Sequence, residues 1–204
     1  MKNLTLEQFA AQTASNEPVP GGGSIAAISG SLAAALSEMV ANLTIGKKKY
    51  AEFEEEMKEI ADKGAVLRER LLDDIQKDSN SFNDVMKAMK LPKTTDEEKA
   101  LRKEKMQEGL KIAARIPFEI ASDAYEIMPL AERVVECGNK NAVTDGLVSA
   151  MLARTSVLSA LLNTKINLAS IKDEKFVNDY KEKVEELEKN AIEYEKRILA
   201  KSDL

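Results

Sequence analysis

The segment from Ser24 to Leu43 carries one charged residue, Glu38, in twenty positions. Its large apolar side chains recur at helical spacing and share one face: Ile25, Ile28, Leu32, Leu36, Met39 and Leu43. The other positions are mostly Ala, Ser and Gly, so almost nothing on this helix is suited to water. A helix of this kind is buried on more than one side. The segment therefore predicts either the centre of a helical bundle or a dimer interface.

Composition extends the helical prediction to the whole chain. Aromatic residues make up only 4% of the 204 residues, and Ala, Leu, Glu and Lys dominate, which favours helices over sheets. The pattern predicts helices at about residues 6–14, 24–43, 52–90, 96–137, 145–169 and 174–201, with the fourth interrupted at Pro117 and Pro129. We expect one all-α domain over residues 1–204, an antiparallel multi-helix bundle with a long central helix.

Charge and rare residue types exclude several classes of function. The net charge of −5 argues against general attraction to nucleic acid or to an anionic membrane. The chain has no histidine, which excludes His-ligated metal sites and Ser-His-Asp catalysis, and Cys137 is its only cysteine. No signal-peptide core and no apolar run of membrane-spanning length is evident. We expect a cytoplasmic protein without a metal site, in which Asp, Glu, Lys, Tyr or water transfers protons.

A glycine-rich loop precedes the uncharged helix, because residues 18–24 read Pro-Val-Pro-Gly-Gly-Gly-Ser. Gly21, Gly22, Gly23 and Ser24 thus lie at the amino end of a helix, where free N–H groups and the helix dipole favour an anion. A tight turn that lets two helices pack closely explains the loop equally well. No Walker lysine and no preceding strand accompany it, so a nucleotide site is not indicated.

Asp78 lies in a run of residues that weaken a helix, Asp-Ser-Asn-Ser followed by Phe82. Asp74 is one turn earlier on the same face. If that face is buried, repulsion and desolvation would raise a carboxyl pKa and suit it to act as a base. The alternative is an ordinary solvated helix surface.

Two further clusters carry polar groups. Residues 139–145 read Asn-Lys-Asn-Ala-Val-Thr-Asp, which is explained either by loop and helix-capping chemistry or by hydrogen bonds to a heteroaromatic ligand. Lys47, Lys48 and Lys49 form a basic turn in an acidic chain. Such a run is usually solvated, but it also suits a carboxylate tail.

The order of these segments along the chain resembles the cyclodeaminase/cyclohydrolase family. That family comprises the carboxyl-terminal domain of formiminotransferase-cyclodeaminase and stand-alone bacterial methenyltetrahydrofolate cyclohydrolases. Pro-Gly-Gly-Gly-Ser together with Asp-Ser-x-x-Phe carries the likeness, and Ser81 departs from the alanine expected more often at its position. The resemblance implies an all-helical homodimer that converts one-carbon forms of tetrahydrofolate, with the substrate near the subunit contact and no tightly bound cofactor.

The resemblance also implies roles for particular residues. Asp78 would stabilise the cationic substrate and deprotonate water, and Asp145 would carry a proton or anchor the pterin. The implied substrate-binding residues are Gly21, Gly22, Gly23, Ser24, Lys48, Lys49, Phe82, Asn139 and Asn141. Hydrolysis of 5,10-methenyltetrahydrofolate is the first expectation. Deamination of formiminotetrahydrofolate, a non-catalytic dimeric ligand-binding module and a protein-binding helical scaffold remain alternatives.

Overall fold

The fold is an all-helical bundle, seen in a computed structural model that describes residues 1–203. Residues 1–203 contain six α-helices and two short 3-10 turns (Lys48–Phe53 and Lys140–Ala142), and no β-strand. The helices are α1 (Leu6–Thr13), α2 (Gly22–Asn42), α3 (Glu54–Met89), α4 (Asp96–Cys137), α5 (Val143–Leu168) and α6 (Glu174–Leu199). The all-α prediction is confirmed.

Neighbouring helices run antiparallel around α2. Ser24 contacts Asp78 while Glu38 contacts Arg68, so α2 and α3 run in opposite directions. The same holds for α2 and α5, because Ser156 Oγ donates to the carbonyl of Ala26 and Ser149 Oγ donates to that of Ala33. The expected antiparallel bundle is therefore present, with the long helices α3 and α4 alongside α2 and α5.

Local sequence signals set two helix starts. Thr5 with Gln8 and Thr95 with Glu98 each form a reciprocal capping box, in which each side chain accepts from the other residue's backbone N–H. These bonds satisfy donors that a helix start otherwise leaves unpaired. Both capping boxes were predictable from the spacing of the residues alone.

Helix α4 is continuous through both of its prolines, so the expected interruptions at Pro117 and Pro129 are wrong. A proline inside a helix costs about 3 kcal/mol through a lost hydrogen bond and a steric clash. Pro117 is buried, and α4 packs along α3 and α5 with fully buried side chains such as Ile120 and Ile127. This burial offsets the local cost.

Helix α2 buries its small residues in the chain and exposes its large ones. Ala26, Ala27, Ala33 and Ala34 have no exposed surface, whereas Leu32 is 50% exposed. Small side chains let the helix axes approach closely enough for hydroxyl groups to bond across the contact. The face of large apolar residues found in the sequence is thus left without a partner in the single chain.

Two helical segments, Gly22–Asn42 and Lys140–Leu168, are long and apolar enough to cross a membrane. The expectation that no apolar run reaches that length is therefore wrong. The criterion is a weak one, because core helices also meet it, and about half of each segment's apolar window is buried inside the bundle. Burial against neighbouring helices therefore accounts for about half of this apolar character.

Candidate active site

Asp78 lies on α3 against the start of α2. Ser24 Oγ donates a hydrogen bond of 3.0 Å to Asp78 Oδ2, and the backbone N–H of Ser24 also donates to this carboxylate. A Cβ built on Gly23 would lie only 2.2 Å from Asp78 Oδ1. Glycine is therefore required at this position, because any side chain would displace the carboxylate. The loop and the acid form one unit.

Burial tunes the acidity of Asp78. Desolvation raises the pKa of the Asp78 carboxyl above its ordinary value, and the hydrogen bonds from Ser24 lower it by a smaller amount. Ser79 Oγ lies 3.3 Å from Ser24 Oγ and extends the polar cluster into the core. The half-buried carboxylate is thus a better proton acceptor than a solvent-exposed aspartate.

Asp74 is a buried carboxylate and Asp123 a half-buried one, but each is paired. Lys77 Nζ lies 2.6 Å from Asp74 Oδ1, and Arg70 Nη1 lies 2.7 Å from Asp123 Oδ1. Desolvation raises the pKa of both carboxyl groups despite these cations. Asp78 differs from them, because neutral donors and no cation contact its carboxylate in residues 1–203.

The remaining loop residues face different partners. A Cβ on Gly22 would lie 3.2 Å from Asn163 Nδ2, and one on Gly21 would lie 3.2 Å from the carbonyl of Pro18. Phe82, one turn after Asp78, is 37% exposed and offers an apolar surface beside the carboxylate. Of the loop residues, only Gly23 and Ser24 meet the Asp78 carboxylate directly, so the binding roles of Gly21, Gly22 and Phe82 stay predictions.

Asn163 is a polar neighbour that sequence reasoning missed. Its Nδ2 donates to the carbonyl of Ser159, whereas its Oδ1 accepts no hydrogen bond from residues 1–203. A Cβ built on Gly22 lies 3.2 Å from Asn163 Nδ2, and one built on the adjacent Gly23 lies 2.2 Å from Asp78 Oδ1. Because consecutive Cα atoms are about 3.8 Å apart, Asn163 Nδ2 is within about 12 Å of the Asp78 carboxylate. No local signal distinguished it, because α5 also carries Asn167 and several Ser and Thr residues.

The cluster around Asn139 has a structural role in the single chain. Asn139 is 6% exposed, its Nδ2 donates to the carbonyl of Leu43, and its Oδ1 accepts from the backbone N–H of Asn141. The backbone N–H of Asn139 donates to Thr44 Oγ1. These bonds tie the end of α2 to the turn before α5. One N–H donor and one oxygen lone pair of the Asn139 amide are used within the chain, and its role in orienting a ligand stays a prediction.

The other predicted residues lie near this second cluster. Lys48 and Lys49 begin the 3-10 turn after α2, and Lys49 Nζ lies 5.4 Å from the centre of the Tyr50 ring. Tyr50 OH in turn accepts from the backbone N–H of Lys140. Asn141 is exposed, and Asp145 is half-buried in the first turn of α5. The side chains of Asn141 and Asp145 are therefore open to a ligand.

One chain does not bring these two groups together. Ser24 and Asp78 are at the start of α2, whereas Asn139 contacts Leu43, just after its end. At 1.5 Å per residue, the two positions are about 28 Å apart. Asp78 therefore does not share a pocket with Asn139 and Asp145 within a single chain.

Metal binding receives no support from the side chains. Residues 1–203 contain no group of three or more His, Cys, Asp or Glu side chains placed to hold an ion. The chemistry available at Asp78 is proton transfer and stabilisation of a positive charge by a carboxylate next to a hydroxyl group.

Comparison with known proteins identifies relatives along nearly the whole chain. The family model described as formiminotransferase-cyclodeaminase matches residues 5–186. A methenyltetrahydrofolate cyclohydrolase from Methylorubrum extorquens is 45% identical, covering 91% of this chain and 88% of that protein. A formimidoyltransferase-cyclodeaminase from Rattus norvegicus is 29% identical over 91% of this chain, which spans only 34% of the rat protein.

The fold has a close match among solved structures. The crystal structure of formiminotetrahydrofolate cyclodeaminase from Thermotoga maritima superposes with a TM-score of 0.88 at 34% sequence identity. The match covers 98% of this chain and 96% of that one. The likeness therefore extends to the complete bundle.

Proposed function

The chain belongs to the formiminotransferase-cyclodeaminase family, and on that basis we propose that it hydrolyses 5,10-methenyltetrahydrofolate to 10-formyltetrahydrofolate. The relative named for this reaction is 45% identical and matches nearly end to end. The observation that carries the proposal is the Asp78 carboxylate, held by Ser24 and Gly23 with its pKa raised by burial.

The chemistry needs neither histidine nor a metal ion. The methenyl bridge is a delocalised amidinium cation and is already electrophilic. Water adds to the bridging carbon while Asp78 accepts a proton from it. As the bond from this carbon to N5 breaks, the hydroxyl group of the adduct loses its proton and N5 takes one up, so the formyl group remains on N10 and the proton held by Asp78 passes to solvent. A single carboxylate in this position can both stabilise the substrate cation and act as the general base.

Replacement of Asp78 by asparagine tests this role. Asparagine retains the size of the side chain but cannot accept the proton, so we expect kcat to fall by about 10²- to 10⁴-fold. The loss of near-ultraviolet absorbance of the methenyl substrate measures turnover, and circular dichroism checks the fold. Undiminished activity would remove Asp78 from the mechanism.

Formiminotetrahydrofolate deamination is the second candidate. Several relatives carry cyclodeaminase names, among them the Thermotoga protein that matches the whole bundle. Closure of the formimino group to the methenyl form with release of ammonia passes through the same type of cation. Assays of the purified protein with both substrates distinguish the two reactions, because only deamination releases ammonia.

We further propose a homodimer joined through α2 and α5. Two sets of large apolar residues are 37–71% exposed: Ile25, Leu32, Met39 and Leu43 on the face of α2, and Val148, Met151, Leu162 and Ile166 on α5. An apolar surface that extends over two helices is typical of an interface. Light scattering should give about twice the chain mass of 22.5 kDa, and Leu32→Glu should give the monomer.

A two-fold axis perpendicular to α2 would join the two separated clusters. It sets the two copies of α2 antiparallel, so that Asp78 of one copy faces the Lys48–Asp145 end of the other. Two composite sites result, and each has residues from both copies. This arrangement accounts for the separation of about 28 Å in the single chain.

Mixing two inactive variants tests the composite site. We expect Asp78→Asn and Asp145→Asn each to lose activity as pure proteins. In a mixture that exchanges subunits, half of the dimers are mixed and each contains one intact site, so activity should recover to about a quarter of wild type. No recovery after demonstrated exchange would contradict the shared site.

Cofactor use and location follow from the same proposal. The reaction needs water and the folate substrate, without a tightly bound cofactor. Nucleic acid and membranes are not proposed partners, since the chain is acidic. Folate one-carbon chemistry is consistent with a cytoplasmic enzyme.

A further inference from the structure

A second buried hydroxyl group lies behind the serine that bonds Asp78. Ser24 Oγ is 3.0 Å from Asp78 Oδ2, and Ser79 Oγ is 3.3 Å from Ser24 Oγ. Neither serine has any exposed surface. The hydroxyl groups of Ser24 and Ser79, called here the hydroxyl row, therefore lead from the carboxylate into the core.

The hydroxyl row has one unused lone pair when Asp78 is ionised. Each hydroxyl group carries one hydrogen and two lone pairs, and an ionised carboxylate only accepts, so Ser24 directs its hydrogen to Asp78. Ser79 has other acceptors for its own hydrogen, the carbonyl of Ile75 at 3.1 Å and Met1 Sδ at 3.3 Å. The separation of 3.3 Å between the two serine oxygens exceeds the usual O–H···O distance of about 2.8 Å. It fits two hydroxyl groups that each donate elsewhere.

Protonation of Asp78 reverses the demand on Ser24. When the proton is on Oδ2, this oxygen becomes a donor, and Ser24 Oγ is within its reach at 3.0 Å. Ser24 then accepts from Asp78, and its own hydrogen needs another acceptor, because a buried donor without a partner is destabilising. Ser79 Oγ offers the unused lone pair at 3.3 Å and keeps its hydrogen on the carbonyl of Ile75. Every hydrogen of the hydroxyl row is then paired in both states of Asp78.

The charged groups on the elements around the hydroxyl row have other partners or face solvent. The ammonium group of Met1 donates to Gln76 Oε1 at 2.9 Å. Ion pairs join Lys2 with Asp73, Lys77 with Asp74, Arg70 with Asp123, Arg68 with Glu38, Arg154 with Glu195 and Lys165 with Glu188, while Arg115 and Glu119 are exposed. Burial and the hydrogen bonds from Ser24 are the causes of the pKa shift at Asp78. The hydroxyl row is therefore the polar environment that responds to its protonation.

We propose that Ser79 is a positioning residue for the general base, which accepts the hydrogen of Ser24 whenever Asp78 is protonated. The inference rests on the proposed function, in which Asp78 takes a proton from the attacking water. No proton travels along the hydroxyl row, because each hydroxyl group rotates and keeps its own hydrogen. The row returns to its first arrangement when Asp78 releases the proton to solvent. Ser79 touches neither the substrate nor the water and acts only through Ser24.

Titration of the Asp78 carboxyl tests this role without requiring turnover. Carbon-13 NMR of the full-length protein, labelled at its aspartate carboxyl groups, follows the resonance that is missing from Asp78→Asn. Ser79→Ala removes an acceptor that only the protonated state uses, so the midpoint of Asp78 should fall by about one pH unit. The rise of kcat/KM with pH should move down by the same amount. Ser79→Thr retains the hydroxyl group and should keep the wild-type midpoint.

A double variant tests whether Ser79 acts through Ser24. In a protein that already carries Ser24→Ala, the further change Ser79→Ala should leave the midpoint of Asp78 where it is, because no hydroxyl group remains for Ser79 to position. An equal shift with and without Ser24 would mean that Ser79 acts on the carboxyl directly, which overturns the proposal.

The chain offers a matched control in a second buried pair of hydroxyl groups. Ser37 Oγ is 2.8 Å from Ser149 Oγ, and neither residue is exposed. Ser37 follows Ser24 by thirteen residues on α2, a distance of about 20 Å. Ser37→Ala removes the same group from the same kind of contact and should leave the midpoint of Asp78 unchanged. A shift as large as that of Ser79→Ala would assign the effect to general loosening of the core and overturn the proposal.

The remaining outcomes separate the role of Ser79 from the folate function. An unchanged or raised midpoint in Ser79→Ala would overturn the positioning role alone. If Ser79→Ala does not fold, Ser79→Cys replaces it, because a thiol fills the space but accepts hydrogen bonds weakly, and it should lower the midpoint in the same way. A lowered midpoint in a protein that converts neither methenyl- nor formiminotetrahydrofolate would support the hydroxyl row and overturn the folate function itself.

Discussion

Replacement of Gly23 by alanine tests whether the glycine loop and Asp78 act as one unit. The added Cβ would lie 2.2 Å from Asp78 Oδ1, 2.6 Å from its Cγ and 2.7 Å from Oδ2. Ordinary van der Waals contact begins near 3.4 Å, so the carboxylate or the loop has to move by about 1.2 Å. The movement would be greatest at the atoms proposed to accept the proton.

The displacement sets the expected magnitude. A shift of about 1 Å at a catalytic group can cost about 100-fold in rate, so we expect kcat to fall about 100-fold, or about 2.7 kcal/mol in the activation barrier. The hydrogen bond from Ser24 to Asp78 would lengthen from 3.0 Å. We therefore expect the free energy of unfolding to fall by about 1–2 kcal/mol.

The assay combines initial rates of methenyltetrahydrofolate hydrolysis with urea unfolding. Gly109→Ala is the control. The three atoms nearest to its added Cβ all belong to Val85, the closest at 3.3 Å, so the substitution does not press on the Asp78 carboxylate. It makes the same chemical change inside a helix and should retain wild-type kcat. Wild-type turnover in Gly23→Ala would refute the reasoning, since the carboxylate would then tolerate displacement.

Three further predictions concern the acidity of Asp78 and the cluster around Asn139. Because burial raises the pKa of Asp78 above 3.8, kcat/KM should increase with pH through a midpoint above 3.8, a limb absent from the residual activity of Asp78→Asn. Because the pKa of Asp78 is higher in the folded state than in the unfolded state, its contribution to stability is complete below the unfolded pKa and is lost as pH rises through the folded pKa. Urea unfolding of wild type and Asp78→Asn at a series of pH values measures this loss. Asn139→Ala should lower the free energy of unfolding by about 1–3 kcal/mol, because the carbonyl of Leu43 and the N–H of Asn141 lose their partner. Unchanged stability with a raised KM would instead restore Asn139 as a ligand-binding residue.

Local signals predicted the helices well and failed where tertiary contacts decide. The capping boxes at Thr5 and Thr95 involve residues three positions apart, so sequence spacing was sufficient. Pro117 is different, because whether a proline interrupts a helix depends on what the helix packs against. Its burial in the core, which no local pattern reports, outweighs the lost hydrogen bond.

The candidate site was predictable in part, for the same reason. Asp78 was found through an unusual run of polar residues and the family resemblance, and Ser24 through its position after the glycines. Asn139 forms hydrogen bonds with Leu43 and Thr44, which are about 95 residues away in the chain, so no local pattern could predict them. Asn163 carried no local signal, because its significance comes only from its contact with Gly22.

Helix α2 connects the fold, the site and the proposed assembly through its different faces. Its small residues let α3 and α5 approach closely, as the 2.8 Å contact of Ser37 Oγ with Ser149 Oγ demonstrates. That close approach lets Ser24 on α2 bond Asp78 on α3 directly. Large side chains on this buried face would separate the helices and break the bond. The large residues are therefore restricted to the outer face, where the proposed homodimer would bury them.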